Sequence, residues 1–96
     1  MGVVLHPLAE AELLEAVSFY EGRASGLGKD FILDFEKTLQ QIDENPEVGV
    51  RMGTRVRRHL FRRFPFSLLY RPDGEDLRVL ALMHHRRRPG YWKGRS

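Results

Sequence analysis

Apolar and polar positions in the first half of the chain alternate with the period of an α-helix. After Pro7, a residue that suits the first turn of a helix, apolar side chains recur at helical spacing and predict a helix over residues 7–22. Glycines follow, and a second apolar stripe, with spacings of four, four and three residues, predicts a helix over residues 27–45. The two stripes are Leu13, Leu14, Val17 and Tyr20, and Phe31, Phe35, Leu39 and Ile42. A short glycine-containing link between two amphipathic helices is typical of an antiparallel helical hairpin.

The segments around the hairpin have the pattern of β-strands. Val3-Val4-Leu5 is a short apolar run, and in the second half of the chain the apolar period falls to two residues. The predicted strands cover residues 3–6, 55–61, 64–71 and 76–84. Pro72-Asp73-Gly74 predicts a turn, and residues 77–83 are apolar on both faces, as in a central strand.

This order of elements predicts a single α+β domain over residues 1–96. It consists of an N-terminal strand, an antiparallel helical hairpin and a three-stranded antiparallel meander. The apolar stripe of the second helix is expected to cover one face of the sheet.

The composition restricts the class of protein. Apolar residues make up 42% and charged residues 30% of 96 residues, a globular balance that suits one domain. No apolar run reaches the roughly 18–20 residues of a membrane span, and the N-terminus lacks the basic region of a secretory signal. The absence of cysteine excludes disulfides and thiolate metal sites. We therefore expect a cytoplasmic protein that does not contact a membrane.

The two halves of the chain carry opposite charge. Residues 1–48 contain three basic and ten acidic groups, whereas residues 49–96 contain thirteen basic and three acidic groups. Twelve of those thirteen basic groups are arginines, which suit bidentate contacts with phosphate or carboxylate. An anionic partner is expected for the second half, either nucleic acid or an acidic protein.

The arginines form three clusters that the meander is expected to gather on one face. The clusters are Arg55, Arg57 and Arg58, then Arg62 and Arg63, then Arg86, Arg87 and Arg88. Aromatic residues follow the last cluster, and arginine, tyrosine and tryptophan are common interface anchors. The predicted target-binding residues are Arg57, Arg58, Arg62, Arg63, Arg86, Arg87, Tyr91 and Trp92. The alternative for the clusters is a solvated basic face, and for Trp92 it is packing against the sheet.

Two adjacent histidines are the remaining candidates for chemistry. On a strand, His84 and His85 point to opposite faces, so they do not form one site. No metal-ligand spacing, phosphate-binding loop or dinucleotide-binding glycine pattern is present, so neither metal nor cofactor is expected. One histidine beside several arginines suits acid–base chemistry on RNA, because its ordinary pKa is about 6.5. A solvent-exposed strand end is the simpler interpretation of each.

Motifs spread over the whole chain resemble the RelE/ParE family of bacterial type II toxins. They are His6-Pro7-x-Ala9-x-x-Glu12-Leu13, Tyr20-Glu21, Gly26-Leu27-Gly28-x-x-Phe31, Asn45-Pro46, Val56-Arg57-Arg58-x-Leu60-x-x-x-Phe64-Pro65-Phe66-x-x-x-Tyr70 and Val79-x-x-x-x-His84-x-Arg86-Arg87-x-Pro89-x-Tyr91-Trp92. The resemblance implies a cytoplasmic toxin with this same fold. It also implies a small antitoxin that wraps the toxin in a hetero-oligomer.

The resemblance implies one of two activities. RelE-like members cut mRNA on the ribosome, and ParE-like members inhibit DNA gyrase. The matching nuclease residues are Arg58, Arg86, His84, His85 and Tyr91. However, Ser67 stands where nuclease members carry an arginine, and Leu60 stands at a basic position. Losing one such charge-stabilising donor typically costs about 10²–10³ in rate.

We therefore expect ParE-like inhibition of DNA gyrase, with no catalytic residue assigned. A RelE-like, ribosome-dependent mRNA endoribonuclease is the alternative. An interaction module without toxicity is the third possibility.

Overall fold

The structure, a computed structural model, describes residues 2–96, so Met1 of the predicted domain lies outside the described residues. Two helices and five strands follow one another along the chain. They are β1 (Val3–Leu5), α1 (Pro7–Arg23), α2 (Leu27–Glu44), β2 (Val50–Arg51), β3 (Arg57–Leu60), β4 (Phe66–Asp73) and β5 (Asp76–His84). The α+β class, the helical hairpin and the β3–β4–β5 antiparallel meander are as the sequence predicts.

The hairpin is closed by a carboxylate and a close approach of the two helices. The Glu21 carboxylate near the end of α1 accepts the backbone N–H groups of Gly26 and Gly28, at 3.1 and 3.0 Å, where α2 begins. A Cβ at Gly28 would lie 2.9 Å from the carbonyl oxygen of Val17, so only glycine allows this crossing. One residue of the predicted α1 stripe is misplaced, because Leu14 is 62% exposed.

The sheet has the strand order β1-β5-β4-β3-β2. β1 runs parallel to β5, and the other neighbouring pairs are antiparallel. β2 was not predicted, because a strand of two residues, Val50–Arg51, shows no alternation. Tyr70 fixes the chain just before β2, since its hydroxyl accepts the Gly49 N–H at 3.0 Å and donates to the Pro46 carbonyl at 2.8 Å.

Several predicted boundaries are wrong by one or two residues. α1 continues to Arg23, and α2 ends at Glu44 because Asn45, which precedes a proline, is extended. The predicted strand 55–61 is observed only as Arg57–Leu60. The predicted strand 64–71 is observed as Phe66–Asp73, since Phe64 donates its N–H to α2 instead of a strand.

β4 and β5 are covered on both faces, as the sequence predicts for residues 77–83. On one face lies α2, where the Phe31 ring contacts three aromatic rings of the β3–β4 region at centroid distances of 5.0 to 5.3 Å. On the other face, Trp92 packs against Leu69, Ala81 and Met83. We call this second face the open face, because the C-terminal segment covers it and neither α1 nor α2 does.

Candidate functional site

A groove of about 520 Å³ lies on the open face, between the ends of β3 and β5 and the C-terminal segment. Its walls combine basic and apolar side chains. They include Arg58, Leu60, Met83, His85, Arg87, Trp92 and Lys93. A groove of this kind suits a partner that presents anionic and apolar or aromatic groups.

Arg58 enters the groove because alternate residues of β3 point to opposite faces. It is paired with Leu69 of β4, which belongs to the open-face core. Its Nε atom is buried and has no hydrogen-bond partner among residues 2–96. Buried donors are rarely left unpaired, so Arg58 carries an unsatisfied donor beside the groove.

His85 also lines the groove, and Ser67 orients it. The Ser67 hydroxyl lies 3.0 Å from His85 Nε2, and Ser67 itself is completely buried. Ser67, which stands where the resemblance implies an arginine in nuclease members, therefore supplies a hydroxyl group to the histidine. It does not supply a positive charge to a bound phosphate.

His84 lies on the opposite face, as the alternation predicts. Its ring packs edge-on against Phe66, with a centroid distance of 5.1 Å. Its Nδ1 accepts the backbone N–H of Arg86 at 3.0 Å. Burial lowers the pKa of His84, and the neighbouring Arg86 and His85 lower it further. Of the two histidines, only His85 reaches the groove.

Arg57 is occupied by the protein's own backbone. Its Nη1 donates to the carbonyl oxygen of Gly49 at 2.8 Å and to that of Glu47 at 3.3 Å. This arginine therefore holds the segment that leads into β2. Its guanidinium therefore has a structural role within the protein.

Arg62 and Arg63 occupy the loop between β3 and β4, which α2 anchors. Their backbone N–H groups donate to the carboxylate of Asp34 at 3.1 and 2.8 Å. Their side chains are exposed, and Arg63 Nη1 lies 3.7 Å from the carboxylate of Asp30. The loop thus presents guanidinium groups beside α2, outside the groove.

The expectation that the three arginine clusters share one face is wrong. Alternation along β3 sends Arg57 and Arg58 to opposite faces, and antiparallel pairing places the start of β3 far from the end of β5. The loop 62–63 and the turn 86–88 do lie at the same end of the sheet, because Phe66 pairs with His84. Arg58 of the first cluster and Arg87 of the third both line the groove.

The sequence matches the family described as the ParE toxin of the type II toxin–antitoxin system, parDE, over residues 3–89. The chain belongs to this family. A solved structure, the chromosomal ParDE toxin–antitoxin system from P. aeruginosa, is similar with a TM-score of 0.61 and 18% identity, over 88% of this chain and 95% of that chain. At that identity the likeness concerns the fold. A search of curated proteins finds no match.

In this ParE-family chain, the aromatic residues of the C-terminal segment are largely immobilised. Trp92 is 7% exposed and packs against the sheet, as the alternative interpretation of this residue expected. It also lines the groove. The Tyr91 ring lies between Arg87 and Arg95, whose Cζ atoms are 3.9 and 4.9 Å from its centroid. Burial raises the pKa of Tyr91 far above its usual range, and the Glu12 carboxylate raises it further. Tyr91 is therefore a poor general base.

A second, smaller groove of about 320 Å³ separates α1 from the end of β5. Phe19 and Leu82 give it an apolar floor, and Glu12 and Arg87 give it charged edges. Phe19 is 55% exposed, an unusual position for a phenylalanine. The helical pattern of α1 did not identify this surface, because Phe19 lies outside the predicted stripe.

Other groove residues escaped the sequence analysis because they belong to no motif. Met52 and Lys93 line the open-face groove from loops that have no regular pattern. Only the path of the chain brings them together. Among the described residues, no three histidine, cysteine, aspartate or glutamate side chains meet as metal ligands would. Within residues 2–96, no helix has both the length and the apolar composition to span a bilayer.

Proposed function

We propose that this ParE-family chain is the toxin of a type II toxin–antitoxin pair, that it acts in the cytoplasm by binding DNA gyrase, and that a cognate antitoxin neutralises it. The observation that carries the choice of gyrase is the contact between buried Ser67 and exposed His85. At this position a hydroxyl bonded to a groove histidine stands where the resemblance implies an arginine in nuclease members. Phosphate cleavage needs fixed positive charge where negative charge develops.

The chemistry around the groove supports binding over catalysis. Arg58, Arg87 and Trp92 are the residue types that dominate interface energies. The raised pKa of Tyr91 keeps its phenol protonated near neutral pH, so it does not accept a proton from a ribose hydroxyl. The exposed side chains of Arg62, Arg63 and Arg86 extend the basic surface at the same end of the sheet.

The test compares two targets with one protein preparation. Purified chain is added to a gyrase supercoiling assay that also detects cleaved DNA, and to a translation extract in which mRNA ends are mapped. We expect supercoiling to stop and cleaved DNA to accumulate, with intact mRNA. Arg58→Ala should weaken inhibition at least about tenfold, as loss of an interface anchor does. Arg23→Ala, a charge-matched change on α1, should leave inhibition unchanged.

A second function is favoured by one arrangement. Arg58, His85 and Arg87 line one groove, and together they provide a histidine beside two guanidinium groups. If folded protein leaves gyrase untouched and cuts mRNA at defined codon positions, the chain is a ribosome-dependent endoribonuclease, and the cuts should vanish in Arg87→Ala. If neither assay responds and induction does not slow growth, the chain is an interaction module.

The proposed binding of an antitoxin is tested separately, by the salt dependence of its association rate. The acidic first half and basic second half of the chain make an acidic, extended antitoxin segment the expected partner for the arginine surface. Attraction of this kind speeds association more than it sets affinity. The association rate should therefore fall as salt rises, and a rate that is independent of salt would contradict an electrostatic role.

A further inference from the structure

The outer edge of β5 is covered by a strand along only part of its length. β1 pairs with Leu77–Val79 and goes no further. Beyond it, side chains take the place of a strand. Glu12 of α1 accepts the Leu82 N–H at 3.1 Å, and Arg95 donates to the Leu80 carbonyl at 3.1 Å. These contacts satisfy backbone groups that a longer β1 would otherwise pair.

Glu12 and Arg95 also bind each other. The two guanidinium Nη atoms of Arg95 lie 3.0 and 3.1 Å from the two carboxylate oxygens of Glu12, a bidentate ion pair. The side chains are 10% and 15% exposed, so water screens the pair far less than the other ion pairs of the chain. This is the contact that joins the C-terminal end of the described chain to α1.

The C-terminal segment passes from this edge to the open face. Three residues before Arg95, Trp92 packs on the open face of the sheet against Leu69, Ala81 and Met83. The N–H of Arg95 donates to the carbonyl of Trp92 at 3.1 Å, so the two anchors are joined by one turn of backbone. The wall of the groove is therefore fixed at one end by an ion pair that lies outside the groove.

We propose that Glu12 and Arg95 are positioning residues that hold the C-terminal wall of the open-face groove. The wall consists of Pro89, Gly90, Trp92 and Lys93. Neither Glu12 nor Arg95 lines the groove, so each acts through the backbone turn at Trp92. The use of the groove as a target site rests on the proposed function, whereas the position of the wall does not.

Trp92 reports the state of the wall directly, because it is the one tryptophan of the chain. Fluorescence emission and acrylamide quenching are measured under native conditions, with far-UV circular dichroism as the test of folding. Glu12→Gln removes the charge and keeps the shape. We expect the quenching constant at least to double and the emission to shift to longer wavelength. Glu15→Gln, on the same helix and outside any ion pair of the described residues, is the matched control and should change neither.

Two further variants separate positioning from a general loss of stability. Arg95→Lys keeps the charge but loses the bidentate contact, and it should give an intermediate quenching constant. Combining Glu12→Gln with Arg95→Ala should change the quenching constant by less than the sum of the two single changes, because both remove the same ion pair. Unchanged Trp92 quenching in folded Glu12→Gln would overturn the proposal. So would additive effects in the double variant.

Gyrase inhibition is measured on the same variants as a separate readout. If the variants show both stronger quenching of Trp92 and weaker inhibition of gyrase, both proposals are supported. If Trp92 quenching responds but neither the parent chain nor the variants inhibit gyrase, the positioning role stands and the proposed function fails.

Discussion

Replacing Asp34 by alanine should destabilise the fold more than any single surface change, because this carboxylate anchors a loop. Asp34 lies on α2 and is 3% exposed. Its two oxygens accept the backbone N–H groups of Arg62, Arg63 and Phe64 at 3.1, 2.8 and 3.2 Å. The loop between β3 and β4 thus has its donors satisfied by a side chain from another element.

The magnitude follows from what the three donors would meet after the substitution. The Phe64 N–H is buried, and a buried donor without a partner costs about 1–3 kcal/mol. The other two N–H groups are partly buried, so water can replace the carboxylate and each loses about 0.5–1.5 kcal/mol. We expect a total near 3–4 kcal/mol, a large share of the roughly 5–15 kcal/mol by which domains are stable. Asp34→Asn retains one acceptor oxygen and should lose about half as much.

Urea unfolding followed by circular dichroism measures the loss. With a urea dependence of about 1–3 kcal/mol per molar, the midpoint should fall by roughly 1–4 M. Asp30→Ala is the control, because Asp30 lies one turn earlier and forms only an exposed 3.7 Å ion pair with Arg63. Its midpoint should barely move. Equal midpoints for Asp34→Ala and Asp30→Ala would refute the anchoring argument.

Three other perturbations have effects of definite sign. A Cβ at Gly49 would lie 2.7 Å from the Tyr70 hydroxyl, so Gly49→Ala should lower the urea midpoint. Gly22→Ala, where a Cβ in α1 meets nothing within 4 Å, should instead raise stability by about 0.5–1 kcal/mol. Burial lowers the pKa of His59 and His84 from 6.5, so the unfolded chain binds more protons as the pH falls through that value. Stability should therefore drop as the pH falls through about 6.5 and below, and replacing both histidines by glutamine should reduce the drop; an unchanged pH dependence would contradict this assignment.

The sequence predicted the fold best in elements where apolar residues repeat with the same spacing over many positions. The helical stripe of α2 and the alternation in β4 and β5 depend on burial against a large neighbour, so their patterns survive in the residue order. β2 has two residues, and its pairing with β3 leaves no pattern. Leu14 and Phe19 are exposed although they are apolar, and helical spacing alone does not distinguish the buried side of a helix from its exposed side.

The parts of the site that escaped prediction depend on contacts between distant segments. Asp34 reaches a loop 28 to 30 residues away, and Glu12 meets Arg95 across 83 residues. Nothing local distinguishes these carboxylates from the solvated ones on the same helices. The path of the chain decides which acid becomes buried, and one sequence does not specify that path residue by residue.

The arginines of the second half also depend on the path of the chain for their roles. These roles determine which substitutions give an interpretable result. Twelve arginines look equivalent in composition, but the fold divides them. Arg57 binds backbone carbonyls, Arg78 pairs with Asp73, and Arg95 pairs with Glu12. Arg58 has a buried Nε atom with no partner in residues 2–96 and lines the groove. Removing Arg57 or Arg95 therefore changes structure before it changes recognition. A substitution at Arg58 is the one whose effect on a target can be assigned to binding, provided that its urea midpoint stays close to that of the parent chain.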